Sequence, residues 1–129
     1  MLKDNTIYLR AVEPEDLDFL YKSENDSSLW IHGNTLSPYS KNTIKQYIEE
    51  AQQYDIFESN QLRLIICSVV DNKPLGAIDL YDIEGHHSRT GMGLFVTEEY
   101  RNNGYARKAI ELIKDYCFNF LNLHQIYVH

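Results

Sequence analysis

The last part of the chain constrains the fold more than any other feature of this sequence. Residues 90–96 are mostly apolar, which predicts a buried strand, and the polar residues 97–103 follow as a link. Gly104 then opens a predicted helix to about residue 121, with apolar side chains at helical spacing and Asn122 as its terminator. A final strand is predicted at 125–129. This order predicts a right-handed crossover between two parallel strands.

The residues before this crossover predict antiparallel strands and two helices. Pro14 suits the first turn of one helix, and Ser40 is a good N-cap for the next. The complete order is β-α-α-β-β-β-α-β, which predicts an α+β fold with a mixed, mostly antiparallel sheet flanked by helices. The earlier elements are a strand at 6–12, helices at 14–26 and 41–54, and strands at 62–70 and 75–83, joined by a loop at 27–39, a polar link at 55–61, and turns at 71–74 and 84–88.

Composition and charge exclude several classes of protein. The chain has 129 residues, which fits one domain spanning 1–129. Acidic residues outnumber basic ones by 19 to 12, so no nucleic-acid partner is expected, since phosphates need a basic surface. No apolar run approaches the roughly 20 residues of a membrane span, and no apolar signal-peptide core is present. We therefore expect no membrane partner, while an acidic surface is compatible with cationic substrates.

The two cysteines, Cys67 and Cys117, lie in apolar contexts without the spacing of metal ligands. We expect two buried free thiols, no disulfide and no metal site. Free thiols are typical of the reducing cytoplasm, which is therefore the expected location.

The sequence ends inside its last predicted strand, with no polar tail after it. An unprotected strand edge is a liability in a folded domain because it can pair with other chains. We therefore expect either that the domain is C-terminally incomplete in this chain or that another chain, such as a second copy in a homodimer, covers the edge.

The link between the fourth strand and the long helix has the features of an anion site. A helix N-terminus carries unpaired N–H groups and about half a positive charge. Gly104 lets the backbone approach an anion closely, Ala106 is small enough not to block it, and Arg101 adds a charge. Neither a Walker loop nor a dinucleotide glycine motif is present. A surface turn with glycine as punctuation is the alternative interpretation of the pattern.

The pattern Arg101-x-x-Gly104-x-Ala106 resembles the Arg/Gln-x-x-Gly-x-Gly/Ala motif of the GNAT family of N-acetyltransferases. The predicted element order is similar to the first five strands and three helices of that family. Residues 7–17, 74–80 and 121–127 look most like its ribosomal-protein and polyamine acetyltransferase branches. The resemblance covers essentially the whole chain.

The resemblance implies direct transfer of an acetyl group from acetyl-CoA to a primary amine, either a protein N-terminus or a small amine such as a polyamine. The loop would hold the pyrophosphate through backbone N–H groups. A bulge within residues 93–96 would expose backbone groups to the pantetheine arm and separate this strand from the last one. The implied cofactor-binding residues are Leu94, Phe95, Val96, Arg101, Asn102, Asn103, Gly104, Tyr105 and Ala106.

The sequence departs from the family pattern in three places. The final helix and strands, which supply a tyrosine near the leaving thiolate, are absent from this chain. Residues 89–92 contain no acid, where many relatives place a glutamate. Residues 30–34, between the first two helices, also lack the acids typical of polyamine enzymes. The catalytic residues are therefore not identified by the resemblance.

The remaining candidates for a general base are Asp79, Glu84 and His86, each of which also has a plain role as a solvated or structural residue. Trp30 and Tyr39 are candidates for holding a cationic acceptor by cation–π contact, with packing as the alternative. The departures from the pattern leave a second function open, that of a non-catalytic acyl-CoA-binding or strand-complemented interaction module.

Overall fold

The computed structural model describes residues 2–25, 38–53 and 55–128, and it divides into two compact units. One unit, Val12–Asp55, is helical, and we call it the helical unit. The other combines Met1–Ala11 with Ile56–His129, and we call it the sheet unit.

The helical unit is built from two helices, and a side chain caps the start of the second. Helix α1 is Leu17–Glu24, preceded by a 3-10 turn at Pro14–Asp16, and helix α2 is Lys41–Ala51. The Ser40 hydroxyl accepts the Thr43 N–H at 3.1 Å, which confirms the predicted N-cap. The two helices pack against each other, and their buried faces include Leu20, Ile44 and Ile48.

The sheet unit contains five strands in the spatial order β1-β2-β3-β4-β5. Neighbouring strands are antiparallel except for β4 and β5, which are parallel, as the crossover predicted. The α+β class and the element order are thus confirmed. The elements of this unit are β1 Ile7–Ala11, α3 Ile56–Ser59, β2 Leu62–Ser68, β3 Pro74–Glu84, β4 Arg89–Val96, α4 Tyr105–Asp115 and β5 Gln125–Tyr127.

The hydrophobic core of the sheet unit lies between one face of the sheet and α4. Side chains at alternating strand positions reach this face, and α4 contributes residues spaced by four positions. Burial of apolar side chains between the two layers is what holds α4 on the sheet. The fully or nearly buried members are Ile7, Leu9, Leu64, Ile66, Leu75, Ile78, Leu80, Ile83, Met92, Ala109, Ile113, Cys117 and Leu123.

Two elements differ from the prediction. The polar link at 55–61 contains the short helix α3. The predicted helix to residue 121 is α-helical only to Asp115 and continues as a π-helical turn, Tyr116–Phe120. The chain then leaves the helix through Asn122, whose φ of 57° is left-handed, so the predicted terminator is confirmed.

Both cysteines are free and buried, as expected. Burial raises the pKa of the Cys117 thiol to about 11, so it is protonated at neutral pH. Among the described residues, no group of His, Cys, Asp or Glu side chains is arranged to hold a metal ion. None of the helices in these segments has the length and apolar character needed to span a membrane.

We predict that Gly76→Ala destabilises the fold far more than Gly93→Ala, although both glycines lie in paired strands. A Cβ at Gly76 would lie 2.1 Å from the Phe95 carbonyl oxygen, which belongs to the backbone and cannot turn aside. Overpacking of this kind costs about 1–3 kcal/mol. A Cβ at Gly93 would come no closer than 3.5 Å, to Asp79 Oδ2. Urea unfolding of the two variants measures the difference, and equal midpoints would contradict the close approach of β4 to Gly76.

Candidate functional site

The loop between β4 and α4 is held in one conformation by its own hydrogen bonds. After a 3-10 turn at Glu98–Tyr100, the Arg101 Nε donates to the Val96 carbonyl oxygen at 2.9 Å. The Asn103 side-chain amide donates to the carbonyl oxygens of Tyr100 at 3.1 Å and Arg101 at 3.3 Å. The Arg101 contact ties the loop to the end of β4, and the Asn103 contacts join residues within the loop.

Gly104 stands at the start of α4 with a left-handed backbone, φ 78°. Non-glycine residues adopt this conformation at a cost of about 1–2 kcal/mol. A Cβ at this position would meet no atom within 4 Å, so the glycine is needed for its conformation and not for space inside the protein. The space beside it is open for a ligand to approach the backbone.

The first turn of α4 presents backbone N–H groups beside this open space. The N–H groups at the start of an α-helix have no partner within the helix, and Gly104 has no side chain to cap them. Ala106 adds little bulk, while Tyr105 packs against the hydrophobic core. The arrangement fits a phosphate or pyrophosphate group, because oriented N–H groups and the helix dipole both favour an anion.

The β4 strand leads away from this loop, and in the part of the chain that the structure describes β5 pairs with its first three residues. The pairing with β5 joins Arg89 to Gln125, Thr90 to Ile126 and Gly91 to Tyr127. Beyond Gly91, residues 92–96 have no described strand on their β5 side. We call this the open edge of β4, and it includes Leu94, Phe95 and Val96.

The prediction of a bulge within residues 93–96 is wrong. The register of β4 with β3 runs without interruption from Gly91 to Val96. The register shift lies instead between Tyr81 and Glu84 of β3, where Asp82 has a left-handed φ of 48°. The irregularity therefore shapes the β3–β4 hairpin and not the open edge.

Asp79 and Tyr81 share one face of the sheet, because their β4 partners are Gly93 and Gly91, two positions apart. The Arg63 Nε lies 3.2 Å from Asp79 Oδ1, and both side chains are largely buried. This ion pair engages the Asp79 carboxylate, which makes it a weaker candidate for a base.

The β3–β4 hairpin forms a cavity of about 460 Å³ at the far end of β4 from Gly104. Glu84 forms an ion pair with Arg89, and the hydrogen bond from Arg89 holds the pKa of Glu84 below its ordinary value. His86 and His87 are exposed, with their rings in edge-to-face contact. The cavity is lined by Asn60, Asp82, Ile83, Glu84, Gly85, His86, His87 and Tyr127.

The candidate residues therefore fall into separate places. The loop residues, Arg101 to Ala106, form one group, while Glu84 and His86 share the hairpin cavity. Tyr39 is exposed in the helical unit, where its N–H donates to Asn25 Oδ1 at 2.7 Å. Trp30 lies outside the described residues.

Sequence reasoning missed Tyr81 and Tyr127, whose rings meet edge-to-face with centroids 6.3 Å apart. The signal that could have found Tyr81 is Gly91, directly opposite it in the β3–β4 register. A glycine opposite an aromatic residue in a sheet marks a place where the ring can lie on the neighbouring backbone.

We predict that Arg89→Gln raises the pKa of Glu84 toward the ordinary glutamate value. A depressed carboxyl pKa stabilises the fold above the unfolded-state pKa, and this contribution is lost as the pH falls through the folded-state pKa. Carbon NMR of the Glu84 carboxyl, from acidic to neutral pH, measures the change. Arg89→Lys, which keeps the charge, is the control. An unchanged pKa in Arg89→Gln would show that another group holds this carboxylate ionised.

Comparison with known proteins connects this geometry to an enzyme family. The acetyltransferase (GNAT) domain model matches residues 6–129. The chain is 27% identical over 129 residues to spermidine N(1)-acetyltransferase of Escherichia coli K12, covering 96% of this chain and 63% of that protein. The corresponding Vibrio cholerae enzyme is also 27% identical, over 98% of this chain and 70% of its own length. The chain thus spans less than two thirds of the Escherichia coli relative.

Solved structures show the same fold. The chain superposes on spermidine N-acetyltransferase from Vibrio cholerae in complex with CoA and spermine, with a TM-score of 0.81 and 23% identity. This match covers 97% of this chain and 71% of the other. A dodecameric structure of the Vibrio cholerae enzyme matches with a TM-score of 0.77 and 24% identity, over 97% of this chain and 70% of that chain.

Proposed function

Because the chain belongs to the GNAT acetyltransferase family, we propose that it binds acetyl-CoA and transfers the acetyl group to a primary amine. The observation that carries this proposal is the left-handed Gly104 at the start of α4, beside the open edge of β4. The loop offers a place for the phosphates, and the edge offers a path for the rest of the molecule.

The backbone N–H groups of Tyr105 and Ala106 would hold the pyrophosphate, with the Arg101 guanidinium adding a positive charge. The open edge would then receive the pantetheine arm, because an extended chain can lie along the side of a strand that has no strand beside it. Leu94, Phe95 and Val96 would line this path.

Transfer requires the acceptor nitrogen to lose a proton and attack the thioester carbonyl. The C–N bond forms as the C–S bond breaks, and the sulfur leaves with the electron pair and takes up a proton. The protein contributes positioning, which replaces an encounter in solution by a fixed geometry. Asp79, Glu84 and His86 remain candidates for the base, of which His86 alone is without an ion pair in the contacts described.

A small cationic amine of the polyamine type is the acceptor we propose. The relatives from Escherichia coli and Vibrio cholerae are spermidine acetyltransferases. The net charge of -7 and the carboxylates of Asp82 and Glu84 in the hairpin cavity favour a cation. These features favour a polyamine over a protein N-terminus, which is the alternative acceptor.

Binding of acyl-CoA without catalysis is the second candidate function. It is favoured by the start of β4, where residues 89–92, including Gly91, provide no acidic side chain that could act as a base. The two functions are separated by turnover with spermidine, measured by release of free CoA thiol. A homodimer is proposed in either case, supported by the dodecameric relative, in which copies of one chain assemble, and by the exposure of Phe120. Light scattering measures the assembly.

We predict that Gly104→Val abolishes binding of acetyl-CoA. A β-branched residue at φ 78° forces the loop into another conformation, and its side chain fills the space beside the α4 N-terminus. Calorimetric titration of acetyl-CoA measures the loss. Asn122→Gly is the control, because it changes another left-handed residue, φ 57°, at the opposite end of the long helix, and it should leave acetyl-CoA binding unchanged. Unchanged affinity in Gly104→Val would overturn the phosphate site.

We predict that Arg101→Ala weakens acetyl-CoA binding more at low salt than at high salt. The exposed guanidinium acts on the phosphates partly through its charge, which dissolved ions screen. Arg101→Lys keeps the charge but loses the planar group that donates to Val96. It should therefore retain most of the salt dependence. Equal losses at both salt concentrations for Arg101→Ala would limit the residue to a structural role in the loop.

A further inference from the structure

The Tyr81 ring occupies the space that a side chain at residue 91 would need. Tyr81 and Gly91 are direct partners across β3 and β4. A Cβ built on Gly91 would lie 2.2 Å from Tyr81 Cε2 and 2.6 Å from Cζ, closer than real Cβ atoms approach. The ring therefore lies on the β4 backbone at this point, with its hydroxyl one bond beyond Cζ. Any side chain at residue 91 would displace it.

This contact lies at the Gly91 end of the open edge of β4, which we call the head of that edge. Gly91 is the last β4 residue paired with β5, through Tyr127. From Gly91 to Val96 the strand covers about 16 Å, at roughly 3.3 Å per residue. A ligand that enters at Gly104 and follows this edge ends beside the Tyr81 phenol.

Tyr127 connects this place to the hairpin cavity. Its ring meets the Tyr81 ring at an interplanar angle of 88°, a favourable edge-to-face geometry. It also lines the cavity that contains Asp82 and Glu84. Burial, together with the charges of Asp82 and Glu84, raises the pKa of Tyr127, so this phenol is uncharged at neutral pH. A row of neighbouring groups thus leads from the acidic cavity through Tyr127 and Tyr81 to the head of the open edge.

Asp79 is the neighbouring polar side chain on this face. Asp79 lies 3.5 Å from the Cβ position of Gly93, the next residue on the same face of β4, and it is ion-paired with Arg63. The Tyr81 phenol is the group that the β3–β4 pairing brings to the head of the edge.

We infer that Tyr81 is an acceptor-positioning residue, whose ring and hydroxyl hold the cationic amine at the head of the open edge of β4. This inference rests on the proposed function. An ammonium group is attracted to the face of an aromatic ring, and the phenol oxygen accepts one of its N–H groups. An amine entering the acidic cavity would pass Tyr127 and reach Tyr81, where the thioester end of a ligand on the open edge would arrive.

The direct test uses the 129-residue chain with its tyrosines labelled with ¹³C. Spermidine is titrated into the chain with and without CoA, and NMR follows the Tyr81 ring signal, identified by its absence in Tyr81→Phe. We expect this signal to shift on addition of spermidine. Tyr81→Phe should weaken spermidine binding about tenfold, as expected for loss of one hydrogen bond to a charged group.

Two further variants separate positioning from folding. Gly91→Ala keeps the phenol but displaces the ring, so it should weaken spermidine binding at least as much as Tyr81→Phe. Tyr8→Phe is the matched control, because it removes a phenol hydroxyl from β1 at the opposite edge of the sheet, bonded to Asn72 at 2.9 Å. It should leave spermidine binding within about twofold of the wild type. In turnover assays, Tyr81→Phe should raise the KM for spermidine without changing that for acetyl-CoA.

The outcomes decide the inference separately from the proposed function. A Tyr81 signal that does not move, or wild-type spermidine affinity in Tyr81→Phe, overturns the inference even if acetyl-CoA binds and turns over. A chain that binds CoA but no spermidine overturns it as well. A chain that fails to bind acetyl-CoA contradicts the proposed function, while the response of Tyr81 to spermidine alone still decides the contact with the amine.

Discussion

The unequal pairing of β4 is the constraint on which the rest of the site depends. Its register with β3 extends to Val96, while its register with the described part of β5 covers Arg89 to Gly91. The pairing with β3 holds the strand that leads into the Gly104 loop, and the ligand path that we propose runs along residues 92–96 of this strand. The proposed cofactor path runs along this edge from the Gly104 loop, and the proposed acceptor position lies at its other end, beside Gly91.

Glycines serve this strand in three physically different ways. Gly76 allows the β4 backbone to come within a distance that no Cβ would permit. Gly91 gives its space to an aromatic ring from the neighbouring strand. Gly104 is needed for its left-handed backbone, with open space around it. The same residue type therefore marks close strand packing, the position of an aromatic side chain and the left-handed turn at the proposed phosphate site.

Charge is distributed so that the two ends of β4 differ. The loop end presents helix N–H groups and the Arg101 guanidinium, which suit an anion. The hairpin end presents the carboxylates of Asp82 and Glu84, which suit a cation, with Arg89 balancing one of them. The reaction that we propose, between an anionic cofactor and a cationic amine, would be favoured by this separation, because each partner would be attracted to its own end of the strand.

The sequence by itself determined the α+β class, the order of the elements, the Ser40 cap, the end of the long helix at Asn122 and the loop around Gly104. These depend on local patterns, such as alternating apolar residues, capping side chains and glycine in a turn, that act within a few residues. Only the tertiary structure decided the ion pairs of Asp79 and Glu84, the site of the register shift in β3, and the contact of Tyr81 with Gly91 and Tyr127. Each of these depends on which residues of different strands lie opposite one another. A shift of one residue in that register turns every following side chain to the other face, so local patterns cannot determine it.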